Sequence, residues 1–170
     1  ADIYGLSRLN WLKRWIMNNS DGVTVVSNQM KTVVRSFGIR SDLSIEVIPM
    51  GVDLAMFSPD KYDPELREKL GIKGPFLLFV GRLTQKKGVE YLIKAMPEIV
   101  NNFPDTKLVL VGYGEQQESL EKLSVRLNLM PNNLIFAGPV PNHKLPAFYA
   151  TADIFIAPST IPRAGDREGF

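Results

Sequence analysis

Two runs of this chain, Phe76-Leu77-Leu78-Phe79-Val80 and Leu108-Val109-Leu110-Val111, contain no polar residue. A strand with one face in water alternates apolar and polar side chains, so an unbroken apolar run must be covered on both faces. That is the condition of a strand in a parallel sheet sandwiched between helices. The rest of the chain beyond Pro75 keeps the same rhythm. Periodicity and breakers predict strands over 76–80, 107–111, 133–136 and 154–157, and helices over 88–101, 115–128 and 142–149. Strict alternation of the two makes this stretch an α/β unit, a doubly wound Rossmann-like parallel sheet. Such sheets collect ligands outside the carboxyl ends of their strands, which directs attention to the loops after Val80, Val111, Phe136 and Ala157.

The part before Pro75 is less regular. Leu9, Leu12, Trp15 and Ile16 recur at helical spacing among Arg8, Lys13 and Arg14, predicting a helix over 7–18. A short strand over 23–26 follows, then a helix opened by Ser27 and stopped by Gly38, and a strand over 45–48 broken by Pro49. Residues 50–75 hold Gly51, Pro59, Pro64, Gly71, Gly74 and Pro75 around one short helix at 65–70. The expected organisation is therefore a first piece over 1–50, a linker over 51–75 and a ligand-binding unit over 76–170. A start at Ala1 and an end at Glu168-Gly169-Phe170 after a polar loop are what a segment of a longer protein would have.

Composition narrows the chemistry. Lys and Arg number 20 against 18 Asp and Glu, a net charge of +2, so nothing like the global positive excess of a nucleic-acid coat is present and any anion site must be local. With no cysteine and a single His143, disulfides, thiolate catalysis, Cys-based metal sites and paired-histidine metal sites are excluded. A cysteine-free chain suits a reducing cytoplasm, and no window approaches the roughly 18 apolar residues of a membrane span.

The loop after 76–80 reads Gly81-Arg82-Leu83-Thr84-Gln85-Lys86-Lys87-Gly88, three cations just ahead of a helix. Cations at a helix amino end are unfavourable by about 0.3–1 kcal/mol each unless an anion joins them, and Arg82, a Lys and free backbone N–H groups at one strand end would cradle a phosphate. A solvated basic turn with its lysines turned outward fits the same spacing. Gly112-Tyr113-Gly114 lacks the third glycine of a dinucleotide fingerprint and reads as a tight strand-to-helix turn. Asp105 reads as a turn residue, His143 as a solvated side chain, and Asp153 as a partner for backbone N–H groups. Glu168 ends the long loop that follows 154–157, on the ligand edge of the sheet.

Five linked segments now carry a resemblance. Val47-Ile48-Pro49-Met50-Gly51-Val52-Asp53 with Phe57-Ser58-Pro59, Phe79-Val80-Gly81-Arg82-Leu83 with Lys86-Lys87-Gly88, Leu110-Val111-Gly112-Tyr113-Gly114, Phe136-Ala137-Gly138-Pro139-Val140, and Ala152-Asp153-Ile154-Phe155-Ile156-Ala157-Pro158-Ser159 followed by Glu168-Gly169-Phe170 stand in this order. The chain resembles the retaining glycosyltransferases of family 4 (glycosyl transferases group 1), with the two-domain GT-B fold. The resemblance implies an enzyme that moves a sugar from a nucleotide-diphosphate-sugar donor to an acceptor with retention of configuration, without a metal cofactor. It implies that Gly81, Arg82 and Lys87 meet the donor diphosphate, that Glu168 reaches the donor sugar, and that the backbone around Val140 meets the nucleobase edge. Asp53 and its neighbours match the crossover into the donor domain. The second acid of the family's Glu-x7-Glu pattern would fall at position 176, Met50 stands where many relatives have Asn, and the loop 159–167 is longer than the commonest form. A nucleotide-sugar epimerase on the same architecture and a non-catalytic nucleotide-binding module are the alternatives. Trp11 and Trp15, with Arg8, Lys13 and Arg14, suit either an anionic lipid surface or packing against further protein, and the second reading is the better of the two.

Overall fold

Lys107 to Val111 cannot pair with the solvent on either side, and in the computed structural model, which describes residues 10–160, they lie between two other strands. Strands β3 (Phe76–Val80), β4 (Lys107–Val111), β5 (Leu134–Gly138) and β6 (Ile154–Phe155) form a parallel sheet in the order β5-β4-β3-β6. Helices α4 (Val89–Asn102), α5 (Gln117–Arg126) and α6 (Leu145–Thr151) connect them, with α3 (Pro64–Lys69) ahead of β3.

The pleat sorts the apolar runs onto two faces. Leu77 and Phe79 of β3, Leu108 and Leu110 of β4 and Leu134 of β5 pack against Val89, Ile93 and Met96 of α4 and Leu120 of α5. Phe76, Leu78, Val109 and Val111 point the other way, onto Phe148 of α6 and Leu66 and Leu70 at α3. Both faces are covered, as the unbroken runs require. Each fully buried Phe or Leu is worth about 1.5–3 kcal/mol relative to exposure, and Phe76, Leu78, Leu108 and Val109 are all buried completely.

Strand order sets where a ligand can go. The chain runs outward from β3 through β4 to β5 and then returns to place β6 on the other side of β3. The order reverses at β3, so the switch point, with its crevice, lies outside the carboxyl ends of β3 and β6.

Among the described residues, those up to Val52 and those from Asp53 to Thr160 fall into two units. Much of the segment 51–75 packs within the second unit. From Asp53 the segment is part of the second unit, because its apolar residues have a core to enter: Ile72 is buried against Phe76 and Val109, and Leu66 and Leu70 pack beside it. Asp63 caps α3 by accepting from Leu66 N at 3.2 Å, with Pro64 at the first helical position. Arg67 of α3 donates to the Gly74 carbonyl at 2.6 Å and pairs with Asp153 at 3.2 Å. Asp153 in turn accepts from Phe76 N at 2.7 Å, the role read for it from sequence. β6 is shorter than expected, although Ile156 N still donates to the Leu78 carbonyl at 2.8 Å.

The first unit holds α1 (Asn10–Asn18), β1 (Gly22–Val25), α2 (Asn28–Ser36) and β2 (Ser44–Val47), with β1 and β2 paired in parallel. Ser27 caps α2 by accepting from Met30 N at 3.2 Å. Val25, Val34 and Ile45 make its small core, joined by Met17 of α1. Trp11 and Trp15 stay outside that core, 68% and 60% exposed, and Lys13 lies 5.6 Å from the centre of the Phe37 ring.

Candidate functional site at the carboxyl edge of the sheet

The edge is built from backbone first. Gly81, directly after β3, donates to the Val111 carbonyl at 2.9 Å, and Gly112, directly after β4, donates to the Gly138 carbonyl at 2.8 Å. Leu83 donates to the Tyr113 carbonyl at 3.0 Å and accepts from Gln116 N at 3.0 Å. The three loops are thus stitched to one another. Gly112 takes φ +133°, and a Cβ there would fall on the Gly81 carbonyl, which is why no larger residue suits this turn. This is the tight turn that the sequence suggested for Gly112-Tyr113-Gly114.

On that frame Arg82 is held out and Leu83 is drawn in. Leu83 is 1% exposed and fixed at both its backbone groups, so its neighbour Arg82 projects into solvent from a rigid loop. Thr84 N donates to the Arg82 carbonyl at 2.9 Å, and the turn Gln85–Lys87 follows as a single 3-10 turn. Lys87 is half-buried, and its Cε would stand 3.8 Å from a Cβ at Gly81. Its stem therefore runs back over the residue that precedes Arg82. The structure brings Gly81, Arg82 and Lys87 together at the end of β3, beside the amino end of α4 and at the switch point.

Val140 lies two residues after β5, on the same edge but two strands away, about 10 Å at normal strand spacing. Its side chain is half-buried and packs against the core around Phe148, which leaves its backbone as the part that meets the edge. Glu168 lies outside the described residues. His143 is exposed in the turn Asn142–Lys144 and, with Lys61 and Asp63, borders an open groove of about 580 Å³. Asp105 follows Pro104 in a turn, as read from sequence, and its backbone lies against Gly74. Tyr149 sits between Phe57 and Phe155, ring centres 5.9 and 5.2 Å away, and burial pushes its phenol up from the ordinary tyrosine value. Among the described residues no group of three or more His, Asp or Glu side chains could hold a metal ion, and no helix is long and apolar enough to cross a membrane.

Sequence reasoning pointed to the loop after Ala157 but missed its contact with the turn ahead of α4. Thr160 N donates to the Lys86 carbonyl at 2.8 Å, and Gly88, at φ +66°, lies directly against the Pro158 carbonyl. The glycine ahead of α4 was the only signal for this contact, and a helix-start glycine has several other uses.

Comparison with known proteins agrees with the fold. The family model for glycosyl transferases group 1 matches residues 63–170, and that for glycosyltransferase family 4 matches residues 4–56. The chain is 36% identical to a GDP-mannose-dependent alpha-(1-6)-phosphatidylinositol monomannoside mannosyltransferase of Mycolicibacterium smegmatis, over 92% of this chain and 41% of that protein. It is 27% identical to the alpha-monoglucosyldiacylglycerol synthase of Streptococcus pneumoniae, over 94% of this chain and 37% of that protein. Among solved structures it resembles Anabaena HepE, in complex with UDP and glucose, with a TM-score of 0.76 and 26% identity over 90% of this chain and 42% of that one. The chain thus spans about two fifths of the length of the relatives it matches. It belongs to the glycosyl transferases group 1 family.

Proposed function

We propose that this member of the glycosyl transferases group 1 family forms part of an enzyme that transfers a sugar from a nucleoside-diphosphate-sugar donor to an acceptor, with retention of configuration. The observation that carries the reading is the placement of Arg82 and Lys87 beside Gly81 at the end of β3, where the strand order reverses. In this reading both cations hold the donor diphosphate. As the glycosidic bond breaks, the electron pair passes to the diphosphate oxygen and its negative charge grows, so the two cations stabilise the transition state more than the ground state. They take the part that a divalent ion plays elsewhere, and no metal cofactor is required. The backbone at Val140 meets the nucleobase edge, and Glu168 meets the donor sugar. Support for a nucleotide-sugar donor comes from relatives named for GDP-mannose and from HepE bound to UDP.

The acceptor is a glycan, a lipid or a small molecule, and the enzyme works on the cytoplasmic side, with a peripheral membrane contact left open. The exposed Trp11 and Trp15 are read as packing against further protein of the first unit's own domain. Incubating the full-length protein that carries this sequence with UDP, GDP and ADP forms of common sugars tests the central claim. A new glycoside of retained configuration is expected. A free altered sugar would point to epimerisation, and binding without turnover would reduce the protein to a nucleotide-binding module.

A further inference from the structure

We propose that residues 158–160, the segment that follows β6, clasp the Gln85–Lys87 turn and fix Lys87, and that Gly88 is the positioning residue on which this clasp closes. The proposal rests on the reading of Lys87 as a diphosphate ligand. The sheet ladder on this side ends with Ile156 N donating to the Leu78 carbonyl at 2.8 Å. Beyond it, two contacts of the described residues bracket Lys87 on either side in sequence. Ahead of Lys87, the Lys86 carbonyl accepts from Thr160 N at 2.8 Å. After it, Gly88 meets the Pro158 carbonyl so closely that a Cβ could not fit between them. The turn also closes on itself, with Lys87 N donating to the Thr84 carbonyl at 3.0 Å and Gly88 N to the Gln85 carbonyl at 3.1 Å. The peptide ahead of Lys87 is therefore hydrogen-bonded to the segment after β6, and the residue that follows Lys87 packs against that segment.

A long flexible lysine stem loses much rotamer freedom when it is held in one place. Pinning its backbone shortens the lever over which the ammonium can wander, and the stem's return over Gly81 uses the rest. The same segment then leads, eight residues beyond Thr160, to Glu168.

The test uses the full-length protein with Gly88→Ala, Gly88→Asn and Thr160→Pro, each alone and combined with Lys87→Ala, and reads kcat, donor KM and melting temperature. Asn tolerates a left-handed φ but carries a Cβ, so it separates the backbone requirement from the contact. Thr160→Pro removes the N–H that holds the Lys86 carbonyl, at a position outside helix and strand, and keeps the test open if the Gly88 variants do not fold. A misplacement of about 1 Å can cost about 10²-fold in rate. Both Gly88 variants are expected to lose about that in kcat with donor KM little changed, Thr160→Pro to fall in the same direction, and none to lower kcat further once Lys87 is Ala. Wild-type kcat in Gly88→Asn or in Thr160→Pro would overturn the clasp, and so would losses that persist undiminished beside Lys87→Ala. Wild-type kcat in Lys87→Ala alone would instead remove the diphosphate reading, and the clasp's purpose with it.

Discussion

Arg82 and Lys87 arrive at one place by opposite means. Arg82 is pushed outward because Leu83 beside it is buried and bonded on both sides, whereas Lys87 is brought back by a short turn until its stem covers Gly81. Two cations whose charges serve a growing negative charge should matter more to rate than to donor affinity. Arg82→Ala and Lys87→Ala are each expected to lower kcat by about 10² to 10³, on the scale of a lost oxyanion donor, with a smaller change in donor KM. Wild-type turnover in either variant would withdraw its role. The same substitution of side-chain cations for a metal predicts that EDTA leaves activity in place, and a strict need for added Mg²⁺ or Mn²⁺ would contradict it. Tyr149 gives a separate handle on stability. Burial raises its phenol above the ordinary value near 10, so the folded chain keeps a proton that the unfolded chain gives up first. That contribution is intact below about pH 10 and is lost as pH rises through the folded value. In melts between pH 8 and 11, Tyr149→Phe should lose less stability with rising pH than the wild type, and parallel curves would show that Tyr149 plays no part.

At the scale of elements, what could be read in advance was whatever the local pattern alone decides. β3 and β4 were legible because an unbroken apolar run has one solution, and α4 because Leu92, Ile93 and Met96 repeat at helical spacing and are all buried. The start of β6 was legible from its apolar onset, but its end was not, since Ile156 and Ala157 remain apolar after regular pairing stops at Phe155. In the segment from Asp53 to Pro75, prolines and glycines mark turns without saying whether those turns pack on a core. Ile72 and Leu70 do so through contacts far away in sequence. The site divides the same way. Gly81, Arg82 and Lys87 form one continuous loop and could be picked out together, whereas the contacts of Lys86 with Thr160 and of Gly88 with Pro158 join residues about seventy apart, and Gly88 is the one local trace of them. Asp153 is the element-level counterpart, tying α3 to the start of β3 through Arg67 and Phe76 N. Asp153→Ala leaves that N–H without its acceptor and takes the ion pair from the guanidinium, which keeps the Gly74 carbonyl, and this should cost about 1–3 kcal/mol. A lower urea midpoint at unchanged m-value is the expected reading, and an unchanged midpoint would show the tie to be dispensable.

The whole chain is lopsided. Among the described residues, thirteen buried ones fill one face of the larger sheet and six the other, while the first unit has a cluster of three. A two-stranded parallel sheet over so small a core is marginal on its own. In native-state hydrogen exchange on this 170-residue chain, amides of β1 and β2 should therefore open at lower free energy than those of β3 and β4, and equal protection would mean that the first unit is supported in some way its core does not reveal. The same imbalance bears on activity. β6 ends the described sheet, with Ile154 and Phe155 54% and 48% exposed, and a half-covered edge strand invites pairing between copies. The chain also spans about two fifths of the relatives it matches. In the GT-B reading the donor is held between two complete domains, so that water is kept from the breaking bond and the acceptor is brought to it. The 170-residue chain alone holds Arg82 and Lys87 on a rigid loop, yet it offers too little protein to enclose a donor. It is expected to bind a nucleoside diphosphate weakly in calorimetry, to elute larger as its concentration rises, and to give no glycoside where the full-length protein does. Turnover by the chain alone at a rate near that of the full-length protein would mean that the carboxyl edge described here suffices for the chemistry, and the two-domain mechanism would have to be given up.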